Sequence, residues 1–155
     1  MTSRPVNAPT TRARREPVQL AALVFGIVFI LVGLLGFIPG VTTNYGDLLF
    51  AGSGSGALLL GIFQVSILHN IVHLLFGIAG VALARTFSGA RNFLIWGGVI
   101  YFVLWLYGLF VAGGDTPANF VPVNNADNWL HLVLAIAMVA LGLLLGRRDT
   151  TTTRR

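Results

Sequence analysis

The chain has 155 residues, 55% of them hydrophobic and only 10% charged, with a mean hydropathy of +0.83; a soluble domain carries about 25% charge, so a soluble globule is excluded. Without cysteine there is no disulfide, thiolate metal site, iron–sulfur cluster or covalent haem attachment. Ten basic residues against five acidic ones give a net charge of +5, but they are too scattered to form a groove-facing stripe, which sets nucleic acid aside as a partner.

Residues 1–16 hold Pro5, Pro9, Thr10, Thr11 and four arginines, a composition that cannot bury enough apolar surface to fold, and read as a disordered basic tail. From Val18 to Ile38 the chain is almost wholly apolar. That run of about 21 residues makes roughly 31 Å of helix and matches a bilayer's hydrocarbon core. It is longer than a secretory h-region, and no small-residue cleavage pattern follows Phe37, Ile38, Pro39 and Gly40. Arg14 and Arg15 precede Glu16 and Pro17, which is not the context of a twin-arginine signal.

The connection 39–67 is long and partly apolar, with Leu48, Leu49 and Phe50, a Gly-Ser stretch from Gly52 to Gly56, and Leu58 to Phe63. It is expected to lie on the membrane as an interfacial or re-entrant segment, because a helix running back to Ala57 would carry Gln64, Ser66, His69 and Asn70 to lipid depth. Gly52, Gly54 and Ala57 formally satisfy a dinucleotide-binding pattern, but no strand precedes them and no βαβ unit surrounds them. Further spans are expected at about 68–84, 93–111 and 126–145, followed by a basic tail, 147–155. The transmembrane domain is thus 17–146.

Alternating four spans collects Arg4, Arg12, Arg14, Arg15, Arg85, Arg91, Arg147, Arg148, Arg154 and Arg155 on one side, leaving Asp47, Asp115 and Asp127 opposite. The positive-inside rule then places both termini in the cytoplasm of a multi-pass bacterial inner-membrane protein. The arginines also attract anionic lipid headgroups, by about 1 kcal/mol for each well-placed charge.

Sliding the sequence on itself aligns 65–74, VSILHNIVHL, with 123–132, VNNADNWLHL. Val65, Asn70, His73 and Leu74 recur, and Gly77, Ala79 and Ala82 fall against Ala135, Ala137 and Ala140. The unit implied is a helix hairpin used twice in parallel orientation, with a pseudo-two-fold axis along the membrane normal. The expected fold is therefore an all-α membrane protein of four transmembrane helices, whose second and fourth helices are equivalent and meet across the axis. Gly33, Gly36, Gly40, Gly77, Gly80, Ala84, Gly142 and Gly146 have the small-residue spacing that close helix packing in lipid uses.

The string from Leu68 to Gly77, with His69, Asn70 and His73, together with Tyr101, Trp105, Tyr107 and the stretch Asn119 to Leu132, resembles the bacterial, chiefly actinobacterial, membrane proteins grouped as domain of unknown function 4383. The resemblance covers roughly Pro17 to Gly146. It implies a four-span membrane protein and carries no activity with it. Gln64 and Ser66 stand where the pattern leads to Pro and Asn, which predicts a less rigid turn before the second span.

All three histidines lie in the paired segments. His69 and His73 are i and i+4 on one helix face, and Asp127 and His131 repeat that spacing. Three imidazoles and a carboxylate have the make-up of a Zn, Cu or Fe shell, with Asn70 and Asn128 orienting the ligands. His73 and His131, at equivalent depth, have the disposition of two axial ligands to a b-type haem in an electron-transfer bundle. The alternative is that His69, Asn70, His73, Asp127, Asn128 and His131 bond one another near the interface as a structural or small-ligand-binding cluster. Trp96, Tyr101, Trp105, Tyr107 and Trp129 either line a pocket, including one for a quinone, or mark packing and the interface.

No catalytic constellation emerges. Ser53 and Ser55 lie in a Gly-rich loop, Ser66 has no orienting carboxylate, and three histidines are too few for a di-iron oxygenase. Coupled transport usually displays buried acids or lysines, which these helices lack. A pore formed by a homo-oligomer, or a partner in a membrane complex, stays open. The expectation is a non-catalytic structural, accessory or small-ligand-binding component with no resident cofactor, and with metal or haem binding as the alternative.

Overall fold

The computed structural model describes residues 14–147. Arg4, Arg12, Arg148, Arg154 and Arg155, and most of the two expected tails, lie outside the described residues. Four helices dominate: α1 (Pro17–Leu35), α2 (Ile67–Leu83), α3 (Phe87–Val111) and α4 (Asn125–Leu144). Between α1 and α2 lie β1 (Thr42–Thr43), a 3-10 turn (Tyr45–Asp47), β2 (Leu58–Leu59) and β3 (Phe63–Gln64).

Each helix starts where its first turn can be capped. At α1, Pro17 takes the first position, where its missing N–H costs nothing, and the Glu16 N–H donates to Gln19 Oε1 at 3.0 Å in a capping box. Ser66, Thr86 and Asn124 accept from the backbone N–H of His69, Gly89 and Asp127 at the starts of α2, α3 and α4. The cap on Thr86 explains why α3 starts at Phe87 rather than at the expected Phe93. Hydropathy marks the stretch that suits lipid, whereas the helix itself carries on through the polar turn of Ser88, Arg91 and Asn92. Conversely, α1 stops at Leu35 rather than Ile38, because from Phe37 the N–H groups bond three residues back, to Leu34 and Leu35.

Helices α1, α3 and α4 are long and apolar enough to cross a membrane; α2 is equally apolar but has 17 residues. Their exposed faces are mostly apolar, with Leu20, Val24, Ile27 and Leu31 on α1, Leu75 and Ile78 on α2, Val103 and Phe110 on α3, and Val133 and Ile136 on α4. Water penalises such surfaces and hydrocarbon does not, so the chain is that of a membrane protein.

Packing is pairwise, α1 on α2 and α3 on α4, with α1 and α3 joining the two pairs. Glycines set the close approaches. A Cβ on Gly26 would lie 2.7 Å from Val81 N and 2.9 Å from Gly77 O, and one on Gly98 would lie 2.9 Å from Ala135 O and 3.0 Å from Val139 N. The expected meeting of the second and fourth helices is corrected here: α2 and α4 make no comparable helix contact. Instead Phe29 of α1 and Tyr101 of α3 stack at the centre, 5.4 Å apart and 11° from parallel.

The connection 39–67 is a small antiparallel sheet in the order β1-β2-β3, pairing Thr42 with Leu59 and Leu58 with Gln64. Ala57, Leu59 and Val65 bury against Val32 and Leu35 of α1. Thr42 Oγ1 donates to Leu35 O at 3.1 Å, which anchors the sheet to the end of that helix. The β2–β3 turn passes through Leu60 and Gly61, both at positive φ, and leaves Leu60 and Ile62 exposed.

Candidate functional site

Five of the six polar residues singled out by spacing, His69, Asn70, Asp127, Asn128 and His131, are buried at the sheet end of the helices, and His73 is half-buried beside them. They do not form one mutually bonded network, and each is held differently.

Asp127 is committed to the backbone. Its Oδ2 accepts from Asn124 N at 3.0 Å, closing the cap of α4, and from Gln64 N at 2.9 Å, tying α4 to β3. Gln64 Nε2 in turn donates to Ser53 O and Ser55 O, at 3.1 and 2.8 Å, and Asn124 Nδ2 donates to Ile62 O at 2.7 Å. The expectation of a looser turn at Gln64 and Ser66 is thereby corrected. Gln64 bonds on three sides and Ser66 caps α2, so side-chain hydrogen bonds do there what a proline ring does by covalent restraint.

His69 Nδ1 lies 3.0 Å from Pro122 O. A carbonyl only accepts, so Nδ1 carries a proton. This bond pins the loop 112–124 over α2. Asn119 shapes the same loop, accepting from Val123 N at 3.0 Å. The His69 and His73 rings stack at 4.7 Å, His73 stacks on Phe29 at 5.9 Å, and Tyr101 meets His131 edge-on at 5.2 Å.

Asn70 and Asn128 do not orient the histidines. Their carboxamides lie against Gly36 and Gly108, in the space a Cβ at either glycine would take. Neither Asn70 carboxamide atom has a hydrogen-bond partner, and the same holds for Asn128 Oδ1 and for Nδ1 of both His73 and His131.

Two cavities of about 160 Å³ each flank the cluster. One lies between α1, the β2–β3 turn and α4, the other between α2, α3 and the loop 112–124. His69, His73 and His131 line both. Of the aromatic residues expected at a pocket, Tyr101 and Tyr107 line the second cavity, and Tyr107 Oη donates to Ala118 O at 2.6 Å. Trp96 and Trp129 are 65% and 58% exposed, and with Trp105 they line neither cavity. The tryptophans instead pack at the periphery, Trp105 on Trp129 at 6.3 Å.

Sequence reasoning missed Phe29 and Pro122, which had no signal of their own, and Gly108, whose place opposite Asn128 mirrors that of Gly36 opposite Asn70. Among the described residues no group of three or more His, Asp or Glu is disposed to hold a metal ion, since Asp127 Oδ2 already serves two N–H groups. Each cavity has room for a ring-sized group.

No curated protein and no solved structure matches the chain. A family model does: residues 19–144, which contain every helix contact and both cavities described above, match Domain of unknown function (DUF4383), and the chain belongs to that family.

Proposed function

We propose that this is a four-span membrane protein built from two related helix hairpins, with its arginine end in the cytoplasm, and that the cluster at the opposite end binds a small ligand. The hairpin repeat draws its support from packing. One constant shift along the chain carries Gly26, Phe29 and Gly36 of the first hairpin onto Gly98, Tyr101 and Gly108. A second carries Ser66, His69, Asn70, His73, Gly77 and Val81 onto Asn124, Asp127, Asn128, His131, Ala135 and Val139. The partners correspond as well: Gly26 with Gly77 and Val81 becomes Gly98 with Ala135 and Val139, Gly36 with Asn70 becomes Gly108 with Asn128, and Phe29 on His73 becomes Tyr101 on His131. Chance similarity between two apolar helices does not reproduce inter-helix partners.

The ligand reading is carried by one observation: two cavities share a wall of three imidazoles, and Nδ1 of two of these has no partner. A purely structural buried cluster would spend those nitrogens on one another, because an unpaired buried polar atom costs about 1–3 kcal/mol. The reading is non-catalytic: the cluster's one carboxylate accepts two backbone N–H groups through Oδ2.

The test is native mass spectrometry of protein extracted in mild detergent, with an absorption spectrum and elemental analysis of the same sample. A bound small organic molecule is expected, lost in His73→Phe and His131→Phe. A Soret band or stoichiometric Zn, Cu or Fe would overturn this in favour of haem or metal. A ligand-free parent whose His73→Gln and His131→Gln variants keep full stability would leave the cluster structural only.

A further inference from the structure

Both cavities open sideways, between the hairpins. The rim of the first includes Val28, Leu60 and Leu130, that of the second Val72, Leu104 and Phe120, all exposed apolar side chains. Leu60 is 60% and Phe120 57% exposed, on the β2–β3 turn and the loop 112–124 respectively, so each cavity has an exposed apolar side chain at its edge. Helices α1 and α4 barely touch, and α2 and α3 touch little, which leaves these two seams as the gaps in the structure.

The lining selects its chemistry. No arginine lines either cavity, and the one carboxylate, Asp127 in the first, is bound to two N–H groups. An anion finds no countercharge in either cavity, and a cation finds no carboxylate in the second and, in the first, only Asp127, whose Oδ2 serves two N–H groups, which favours a neutral occupant. A volume of about 160 Å³ takes a single ring and leaves any tail along the rim; sites for whole drug-sized ligands run to roughly 300–1,000 Å³. The inner wall offers flat faces, with His73 lying 12° from Phe29 and 21° from His69. His73 and His131 border both cavities, and Nδ1 of each is buried without a hydrogen-bond partner. We infer that each cavity binds the headgroup of a lipid-soluble quinone or quinol, a flat neutral ring with oxygens on opposite edges, entering from the bilayer between the hairpins. The inference rests on the small-ligand reading above and adds the ligand's class, its route and its number, two per chain.

The test uses the full chain in lipid nanodiscs with decyl-benzoquinone as probe, measured as saturable binding above partition into empty nanodiscs. Two probes per chain are expected, with a melting temperature raised by several degrees and binding at least ten-fold weaker in His73→Phe and His131→Phe. Since those variants replace buried groups, rim variants supply the independent check. Leu130→Trp narrows the first cavity and Val72→Trp the second from the lipid face, and each should reduce the count from two to one. Absence of saturable binding, or a count unchanged in all four variants, overturns the proposal. Organic extraction of the purified protein separates this failure from that of the wider reading. A stoichiometric neutral lipid that is not a quinone, unmoved by the probe, sinks the quinone and keeps the ligand site, whereas no extracted compound and no probe binding sink both.

Discussion

The glycine contacts make a sharp energetic prediction, because three adjacent-looking substitutions should behave differently. In Gly26→Ala the new methyl meets only backbone, 2.7 Å from Val81 N, 2.9 Å from Gly77 O and 3.0 Å from the Gly80 carbonyl carbon. None of these atoms can rotate away, so α1 and α2 must separate by about 0.5 Å. A gap of that size forfeits about a quarter of each contact's attraction of ~0.1–0.2 kcal/mol, and over a seam of some tens of atom pairs this comes to about 1–2 kcal/mol. Overpacking in well-packed cores costs a similar 1–3 kcal/mol or so. Gly98→Ala also meets backbone, Ala135 O at 2.9 Å and Val139 N at 3.0 Å, besides the stiff β-branched Val139 Cγ2 at 2.7 Å, and should cost about as much. Gly97→Ala is the control: its methyl meets Met138 Cε at 2.7 Å and Phe76 Cζ at 3.0 Å, the ends of side chains. Methionine adapts readily, and alanine is the better helix former by about 1 kcal/mol in water, so the net effect should be within about 0.5 kcal/mol of zero. Reversible unfolding by sodium dodecyl sulfate in mixed micelles gives all three numbers. A Gly97→Ala loss equal to that of Gly26→Ala would refute the claim that backbone approach, rather than mere burial, makes these glycines necessary.

Two further outcomes follow from the site and the topology. Asp127→Ala removes the acceptor for the Gln64 and Asn124 N–H groups, which should cost about 1–3 kcal/mol and speed hydrogen exchange at the Gln64 amide. Asp127→Asn, which keeps an acceptor oxygen, should cost less; unchanged exchange in the alanine variant would show that the carboxylate does not hold the sheet to α4. Single cysteines at Thr43 and Thr116 should react with a membrane-impermeant maleimide in intact cells while one at Ser88 should not, and labelling at Ser88 would invert the orientation read from the arginines.

Much of the fold was readable because lipid imposes a simple rule: a spanning segment must be apolar and must satisfy its own backbone. That rule located four helices and placed three of the four starts within a residue or so. It failed at the start of α3, where Thr86 caps a turn that carries Arg91 and Asn92, since charge marks the edge of the hydrocarbon and not the end of the hydrogen-bonded ladder. The sheet was invisible for a different reason. Strands of two residues have no alternation to detect, and the β2–β3 turn puts a leucine at positive φ, a position where sequence habits lead one to expect glycine or asparagine.

The site divides along similar lines. Spacing alone brought His69, His73, Asp127 and His131 to one end of the molecule, because i and i+4 share a helix face whatever the tertiary packing. Spacing could not say what each atom does there. Asp127 has the look of a ligand until Gln64 and Asn124 take its oxygen, and Asn70 and Asn128 have the look of ligand-orienting groups until Gly36 and Gly108 are found beneath them. Phe29 gave no signal at all, being one apolar residue in an apolar helix, yet it stacks on both His73 and Tyr101 and so links α1 to α2 and α3. The correspondence of Phe29 with Tyr101 has a further consequence for symmetry. A phenylalanine facing one histidine and a tyrosine facing the other make the two cavities alike in shape but unlike in hydrogen-bonding capacity. Asp127, which lines only the first and stands where the repeat has His69, adds to the difference. Phe29 and Asp127 line only the first cavity and Tyr101 only the second, so under the reading proposed above the two cavities should bind the same headgroup with unequal affinity.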